Sequence, residues 1–342
     1  MLISHLGEVE LIKKISRQFP LQEKGVRVGI GDDAAVLSPL TDAGRLTLVT
    51  KDILVEGVHF LSPLITPYQL GRKALAVNIS DIAAMGGVPR HLVTAVGFPL
   101  ETELKKVEEI YRGMGDLCRT FSINLIGGDT VKSPEGIIIS VTLLGEVEED
   151  CLLLRSGAKP GDLLGVTGEL GSSAAGLDLL LEGSREEKRE VEDYTSWFQI
   201  LTKFHLEPPL RLQEARRIAR SHLVTSMIDL SDGIMKDLGE ISRASQVGAK
   251  VYLDRVPLSS ALKKASSFLG KDPLDYALGG GEDYELLFTF KGGDKEKIEE
   301  LAKGFQIPVS IIGEITPPEE GIKYLDKEGK ERNFSRKGYT HF

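Results

Sequence analysis

The sequence predicts a two-domain protein of the α/β (α+β) class. Three observations carry that reading. Short apolar runs alternate with two long helical patterns over residues 1–150. A turn-rich link, RSGAKPGD, then occupies residues 155–162. Beyond it, apolar runs and helical patterns alternate again as far as residue 325. A length of 342 residues suits two domains and buries enough surface to need no covalent staples.

The first domain is placed at residues 1–150. Leu11, Ile12, Ile15 and Phe19 share one side of a helix over 8–19. Short strands are expected at 26–30, 34–37 and 46–50. Thr66 and Pro67 supply an N-cap and a first helical residue, and the helix they open ends at Gly86 and Gly87. Residues 91–98 read as a strand. Thr102 caps the next helix, on which Leu104, Val107, Tyr111, Met114 and Leu117 recur at helical spacing. Strands at 123–126 and 137–147 complete this half.

The second domain is placed at residues 151–342. After the link comes a strand at 163–167, and helices follow Ser172 and Pro208. Between them, the charged stretch 181–192 reads as a solvated helix or loop. A strand at 226–230 leads into a helix over 232–245. Further strands are expected at 250–253, 284–290, 309–313 and 323–325. There is no repeat and no low-complexity segment.

Composition narrows the function. A formal net charge of −9 with no basic face argues against a nucleic-acid backbone as partner. No apolar run reaches the ~18 residues of a membrane span. The first residues lack a basic region followed by a long apolar one, so a cytoplasmic protein is expected. Two cysteines, Cys118 and Cys151, fit a reducing compartment and act as small hydrophobes.

The acids are concentrated beside glycines. Residues 29–34 read GIGDDA, with Asp52 about 20 residues on, which formally satisfies the dinucleotide fingerprint. That reading fails on charge: Asp32 and Asp33 would repel a pyrophosphate, and the residues that follow resemble a strand rather than a helix. Paired aspartates in a glycine turn suit a hard cation such as Mg²⁺, although a plain Asp-rich turn has the same composition. Further clusters follow: Asp52 at a strand end; Asn78 and Asp81, three apart on one helix face; GGDT at 127–130; Asp229, Ser231 and Asp232 in IDLSDG; and Glu282 and Asp283 in GGGED. Asp81 lies in an apolar stretch, where an unpartnered carboxylate is costly. Together these clusters suit several Mg²⁺ ions on a polyphosphate. No P-loop and no protein-kinase motif set is present.

The same residues, GIGDDA, DILVEGVHF (52–60), ALAVNISDIAAMGG (74–87), LIGGDT (125–130), RSGAKPGD, IDLSDG (228–233), GGEDYEL (280–286) and the tail KGYTHF (337–342), resemble the thiamine-monophosphate kinases. These belong to a wider superfamily with aminoimidazole ribonucleotide synthetase. The resemblance implies a two-domain synthetase-like fold with a cleft between the domains. It implies a homodimer whose N-terminal sheets pair into a barrel. It also implies ATP-dependent conversion of thiamine monophosphate to the diphosphate, with several Mg²⁺ ions and ATP as co-substrate. By position, Asp33, Thr50, Lys51, Asp52, Asp81, Asp129, Asp229 and Asp232 resemble metal ligands. Tyr111, Gly128, Asp129, Arg155 and Ser231 resemble nucleotide contacts. His59, Glu282 and Tyr339 resemble contacts to the thiamine side. No covalent catalytic residue is expected.

One departure stands out. The family usually reads Thr-Asp or Ser-Thr-Asp where this chain has Thr50, Lys51 and Asp52. A main-chain role for residue 51 makes the lysine harmless, whereas a side-chain role sets its ammonium against the cation. Ile53 also stands where a polar residue is common. Simpler readings remain open: Tyr111 as core packing, Arg155 as a linker salt bridge, His59 as a packed histidine, Tyr339 as an anchor for the tail. Two other functions also remain: another ATP-dependent synthetase of the superfamily, or a Mg-nucleotide sensor without catalysis.

Overall fold

In the computed structural model, residues 26–28, 32–37, 44–182, 194–334 and 338–339 are described. The expected helix over 8–19, the glycines at 29 and 31, most of the charged stretch and most of the tail lie outside them.

Two six-stranded sheets organise the chain. The first contains β1 (Val26–Val28), β2 (Ala35–Leu37), β3 (Arg45–Val55), β4 (Val88–Phe98), β5 (Asn124–Lys132) and β6 (Ile138–Glu148), in the order β1-β2-β3-β6-β4-β5. All its pairings are antiparallel except β4 with β5. Helices α1 (Pro67–Ala84) and α2 (Leu104–Phe121) accompany it. The second sheet contains β7 (Asp162–Thr167), β8 (Val224–Asp229), β9 (Gly248–Tyr252), β10 (Leu286–Lys291), β11 (Val309–Thr316) and β12 (Ile322–Leu325), in the order β12-β9-β11-β7-β10-β8. Its helices are α3 (Ser172–Leu181), α4 (Tyr194–Leu206), α5 (Leu212–Ser221), α6 (Ile234–Ser245), α7 (Ser260–Leu269), α8 (Pro273–Gly279) and α9 (Lys295–Ala302). The antiparallel majority makes this the α+β variant of the expected class. No helix among the described residues is long and apolar enough to cross a membrane.

Helix α1 joins the two halves. Thr66 and Gln69 form a capping box at its start, with Pro67 at the first position. Residues on every side of it are buried, from Leu70 and Lys73 to Asn78, Ile82 and Ala84, as expected of a helix enclosed on all faces. One side lies on β3, β4, β6 and α2, and the other meets α4, α5 and β8. A single core accordingly runs from Leu48, Ile79 and Leu143 to Ala215, Met227 and Phe288. Trp197 packs in a separate cluster with Leu201, Leu262 and Tyr276.

Several expected boundaries move for local reasons. The first turn of α2 is preceded by Glu103, because Thr102 is used in a turn onto Pro99. The strand expected at 123–126 runs on through GGDT to Lys132, so this motif lies inside an edge strand. Helix α6 starts at Ile234, since the Asp232 and Gly233 amides bond the Asp237 carboxylate. Strand β10 starts at Leu286 because Glu282 and Tyr284 are left-handed, at φ 65° and 49°. Helices α7, α8 and α9 have no counterpart in the sequence reading.

Candidate active site

The side chains of β3 alternate across the sheet. Thr50 is buried, Asp52 is half-buried, and Lys51 and Ile53 are exposed on the opposite face. Thr50 and Asp52 face α1. There the Thr50 hydroxyl donates to Asp81 Oδ2, and the Asp52 amide donates to Asn78 Oδ1 at 3.2 Å. Strand β8 ends at Asp229, whose Oδ2 accepts from the Ser80 hydroxyl at 2.6 Å. Asp33 comes from the turn before β2. Carboxylate oxygens of Asp33, Asp81 and Asp229 lie within 4.8 Å of one another.

This cluster is electrostatically unfavourable as it stands. Burial, together with the charge of Asp33, pushes Asp229 up to about 7. Burial also raises Asp52 to about 6, although a hydrogen bond with Asp81 opposes the shift. Asp81 is raised well above the usual range, by burial and then by Asp52, Asp229 and Asp33. Such carboxylates hold protons near neutral pH unless a cation takes the protons' place. Asp33 Oδ2 is buried without a hydrogen-bond partner. Oxygen donors from three elements, one of them unsatisfied, fit a hard divalent ion.

Arg155 supplies the nearby positive charge. Its guanidinium bonds Asp33 Oδ1, with Nε at 3.1 Å, and lies 3.7 Å from Asp32 and 3.8 Å from Glu240. The Arg155 amide approaches both Asp32 oxygens, at 3.4 and 3.3 Å, and Asp32 also accepts from the Asp33 amide. Asp32 thus fastens the turn to the link between the sheets. The simpler reading of Arg155, a linker salt bridge, describes these contacts.

A second group forms on the C-terminal side. Asp232 pairs with Lys236 at 2.7 Å, and its carbonyl accepts from the Tyr339 amide at 3.2 Å. Tyr339 is 43% exposed, and its carbonyl accepts from Lys236. The segment 282–285 lies along 230–231: the Glu282 amide donates to Ser231 O and the Tyr284 amide to Leu230 O. Each of its three acids has a different anchor. Asp283 accepts from the Gly171 amide at the start of α3, at 2.7 Å. Glu285 accepts two bonds from Arg211, at 2.7 and 2.5 Å, and one from Thr167. Glu282 Oε2 meets Lys73 Nζ at 2.9 Å and His205 Nδ1 at 3.0 Å.

The AIR synthase related protein N-terminal domain model matches residues 31–147, and the corresponding C-terminal domain model matches 159–325. The thiamine-monophosphate kinase of Bacillus subtilis is 36% identical over 98% of this chain and 100% of its own length. That of Escherichia coli (strain K12) is 38% identical over 98% of each. The chain belongs to the thiamine-monophosphate kinase family. The solved structure of AaThiL complexed with AMPPCP and TMP superposes with a TM-score of 0.83 at 36% identity, covering 100% of this chain and 99% of that one. The hydrogenase maturation protein HypE in complex with ATP, at 21% identity and TM-score 0.64, shares the fold.

Of the residues that carry the family resemblance, Asp33, Thr50, Asp52, Asp81 and Asp229 come together. Lys51 points its side chain away from them. Ser231 and Asp232 follow directly from β8. Asp129 lies on exposed β5, where it accepts from the Thr130 amide. A Cβ at Gly128 would lie 2.5 Å from the Thr94 carbonyl, so pairing with β4 already excludes a side chain there. Tyr111 packs partly on the first core and lines an open cleft of about 550 Å³ with Cys118, Asn124 and Leu125. His59 Nδ1 accepts from the Val55 amide at 3.0 Å, a bond that closes the loop after β3. Two site-lining residues escaped the sequence reading, Lys73 and His205. The only available signal was a lysine inside an otherwise apolar helix. Ser173 Oγ also lies 3.2 Å from His205 Nδ1. Serine and Glu282 meet the same ring nitrogen, so they do not form a nucleophilic triad.

Proposed function

We propose that this protein transfers the γ-phosphoryl group of ATP to the phosphate of thiamine monophosphate, giving the diphosphate, by direct in-line displacement. The observation that carries the reading is the convergence of Asp33, Asp81 and Asp229 at the junction of the two halves. The acceptor phosphate is already anionic at neutral pH and needs no strong base. The difficulty lies in bringing two anions together. Mg²⁺ bound there would neutralise and align the phosphates. Asp33, Asp52, Asp81 and Asp229 would hold it, with Thr50 orienting Asp81. The main chain at Lys51 and the carboxylates of Asp129 and Asp232 would complete the sites. Arg155, Ser231, Tyr111 and Gly128 would contact the nucleotide, and Glu282, His59 and Tyr339 the thiamine side.

The domain boundary is proposed near residue 150, with the second half closing the cleft. A cytoplasmic homodimer is proposed as well. Its interface would be the exposed face of the first sheet, where Ile53, Val93, Ile126 and Val131 are at least 37% exposed. Such a patch, bordered by edge strand β5, is unusual on a monomer.

The test is ADP release measured across thiamine, thiamine monophosphate and aminoimidazole precursors. Release stimulated by thiamine monophosphate alone supports the reading. ATP binding without stimulated release would leave a nucleotide sensor. γ-Labelled ATP without acceptor tests the direct transfer: stoichiometric label on the protein that chases into product would overturn it.

A further inference from the structure

We propose that Lys73 and His205 are positioning residues for substrate recognition, holding the Glu282 carboxylate ionised and turned so that its second oxygen serves the thiamine side. This rests on the reading of Glu282 as a substrate contact.

Lys73 is fully buried in α1, where an ammonium is retained only if it is paired and hydrogen-bonded. Its Nζ donates to Glu282 Oε2 at 2.9 Å and to the His205 carbonyl at 3.1 Å. His205, on α4, is also buried, and its Nδ1 meets the same Oε2 at 3.0 Å. Both partners therefore engage one oxygen of Glu282. Oε1 has no hydrogen-bond partner among the described residues, and the side chain is 26% exposed. An anionic oxygen left open at the rim of the site suits a cationic ring or an aromatic amine. Lys73, followed by His205, holds the Glu282 carboxyl down to about 2 despite its surroundings. Burial and the Lys73 charge lower His205, which favours the neutral ring.

The backbone of this segment does not depend on Lys73. Asp283 and Glu285 are anchored independently by the α3 amides and by Arg211. Removing Lys73 should therefore release the Glu282 carboxylate rather than the loop. The contact also spans 209 residues of chain, from the helix that carries Asp81 to the segment that carries Glu282. It thereby sets the spacing between the phosphate end and the ring end of the acceptor.

The experiment is steady-state kinetics on Lys73→Met, Glu282→Gln, their double variant and His205→Gln. Lys73→Met should raise KM for thiamine monophosphate about 10-fold or more, the usual scale for a lost charged hydrogen bond. KM for ATP should stay within about 2-fold. In Lys73→Met alone, KM for the acceptor should climb further as pH falls toward 5.5 or so, because Glu282 regains an ordinary or higher proton affinity. Glu282→Gln should cost as much, and the double variant little more than Glu282→Gln. Multiplicative effects in the double variant, or equal losses for both substrates, would overturn the inference. An unchanged acceptor KM in Glu282→Gln would instead remove Glu282 from the substrate site. If Lys73→Met does not fold, His205→Gln against Glu282→Gln gives the same cycle. Independent effects there would overturn the inference too.

Discussion

Substituting Asp229 by Asn should make the metal-free protein more stable while abolishing its chemistry. Asp229 is 2% exposed and accepts from Ser80, an interaction that an amide oxygen can keep. Its proton affinity is raised from 3.8 to about 7 in the folded protein. The folded state therefore binds a proton more tightly than the unfolded one, and stability is lost as pH climbs from about 4 to about 7. At about 1.4 kcal/mol for each tenfold change in proton affinity, the full loss is roughly 4 kcal/mol. Asn carries no charge at any pH, and its presence also relieves Asp81, which Asp229 repels. The assay is chemical denaturation in chelator at about pH 5 and pH 8, with and without Mg²⁺. At the lower pH Asp229→Asn should lead by only about 1–2 kcal/mol, because the loss has begun but is far from complete. At the higher pH Asp229→Asn should be more stable by up to ~4 kcal/mol, or several degrees in Tm. Added Mg²⁺ should stabilise the parent and do little for the variant, whose turnover should fall by orders of magnitude. A variant less stable than the parent at pH 8, or a gap that does not depend on pH, would refute the reasoning.

Lys51→Thr should change stability by less than about 0.5 kcal/mol and leave the Mg²⁺ requirement for turnover unmoved, because the side chain leaves the sheet on the face opposite Asp52; a shifted requirement would place the ammonium in the site. Gly128→Ala should cost about 1–3 kcal/mol in denaturant titration by pressing on Thr94, while Gly127→Ala, with open space around it, should cost under about 1 kcal/mol. Arg211→Ala should destabilise by about 3–5 kcal/mol, since Glu285 is 1% exposed and would be left buried with only Thr167 as a side-chain partner; a calorimetric Tm near that of the parent would contradict the pairing.

The site was legible where chemistry and backbone geometry coincide locally. Asp33, Asp81 and Asp229 each sit in a run whose glycines or apolar neighbours make an unpaired acid conspicuous, and they converge. Asp129 has the same signature, and of its two glycines Gly128 is also required by the pairing of β4 with β5. A glycine required by a neighbouring strand looks the same in sequence as one that admits a phosphate. The direction of the Lys51 side chain follows from the period of two along β3, which becomes usable only once the strand's register against β6 is known. The pairings of Lys73 and His205 with Glu282, and of Arg211 with Glu285, were invisible for a different reason. The partners lie 74 to 209 residues apart, and no local pattern encodes an ion pair across that distance. In the fold, both long helices of the first half and the strands of both sheets followed from periodicity. The short helices α7 to α9 stand between strands whose spacing leaves room for a loop.

The enclosure of α1 bears on how the chain is made. When residue 150 leaves the ribosome, the first sheet and α2 can cover one side of this helix. Its other side, which lies against α4, α5 and β8, has nothing to rest on until residue 229 follows. At ~5–20 residues per second, those roughly 80 residues take about 4–16 s. Throughout that interval a strip of small apolar side chains, with the ammonium of Lys73 among them, faces solvent. The nascent first half thus carries an uncovered apolar strip during synthesis, the kind of surface that invites aggregation. A gene cut at the link would yield two fragments that reach their native packing only in each other's presence.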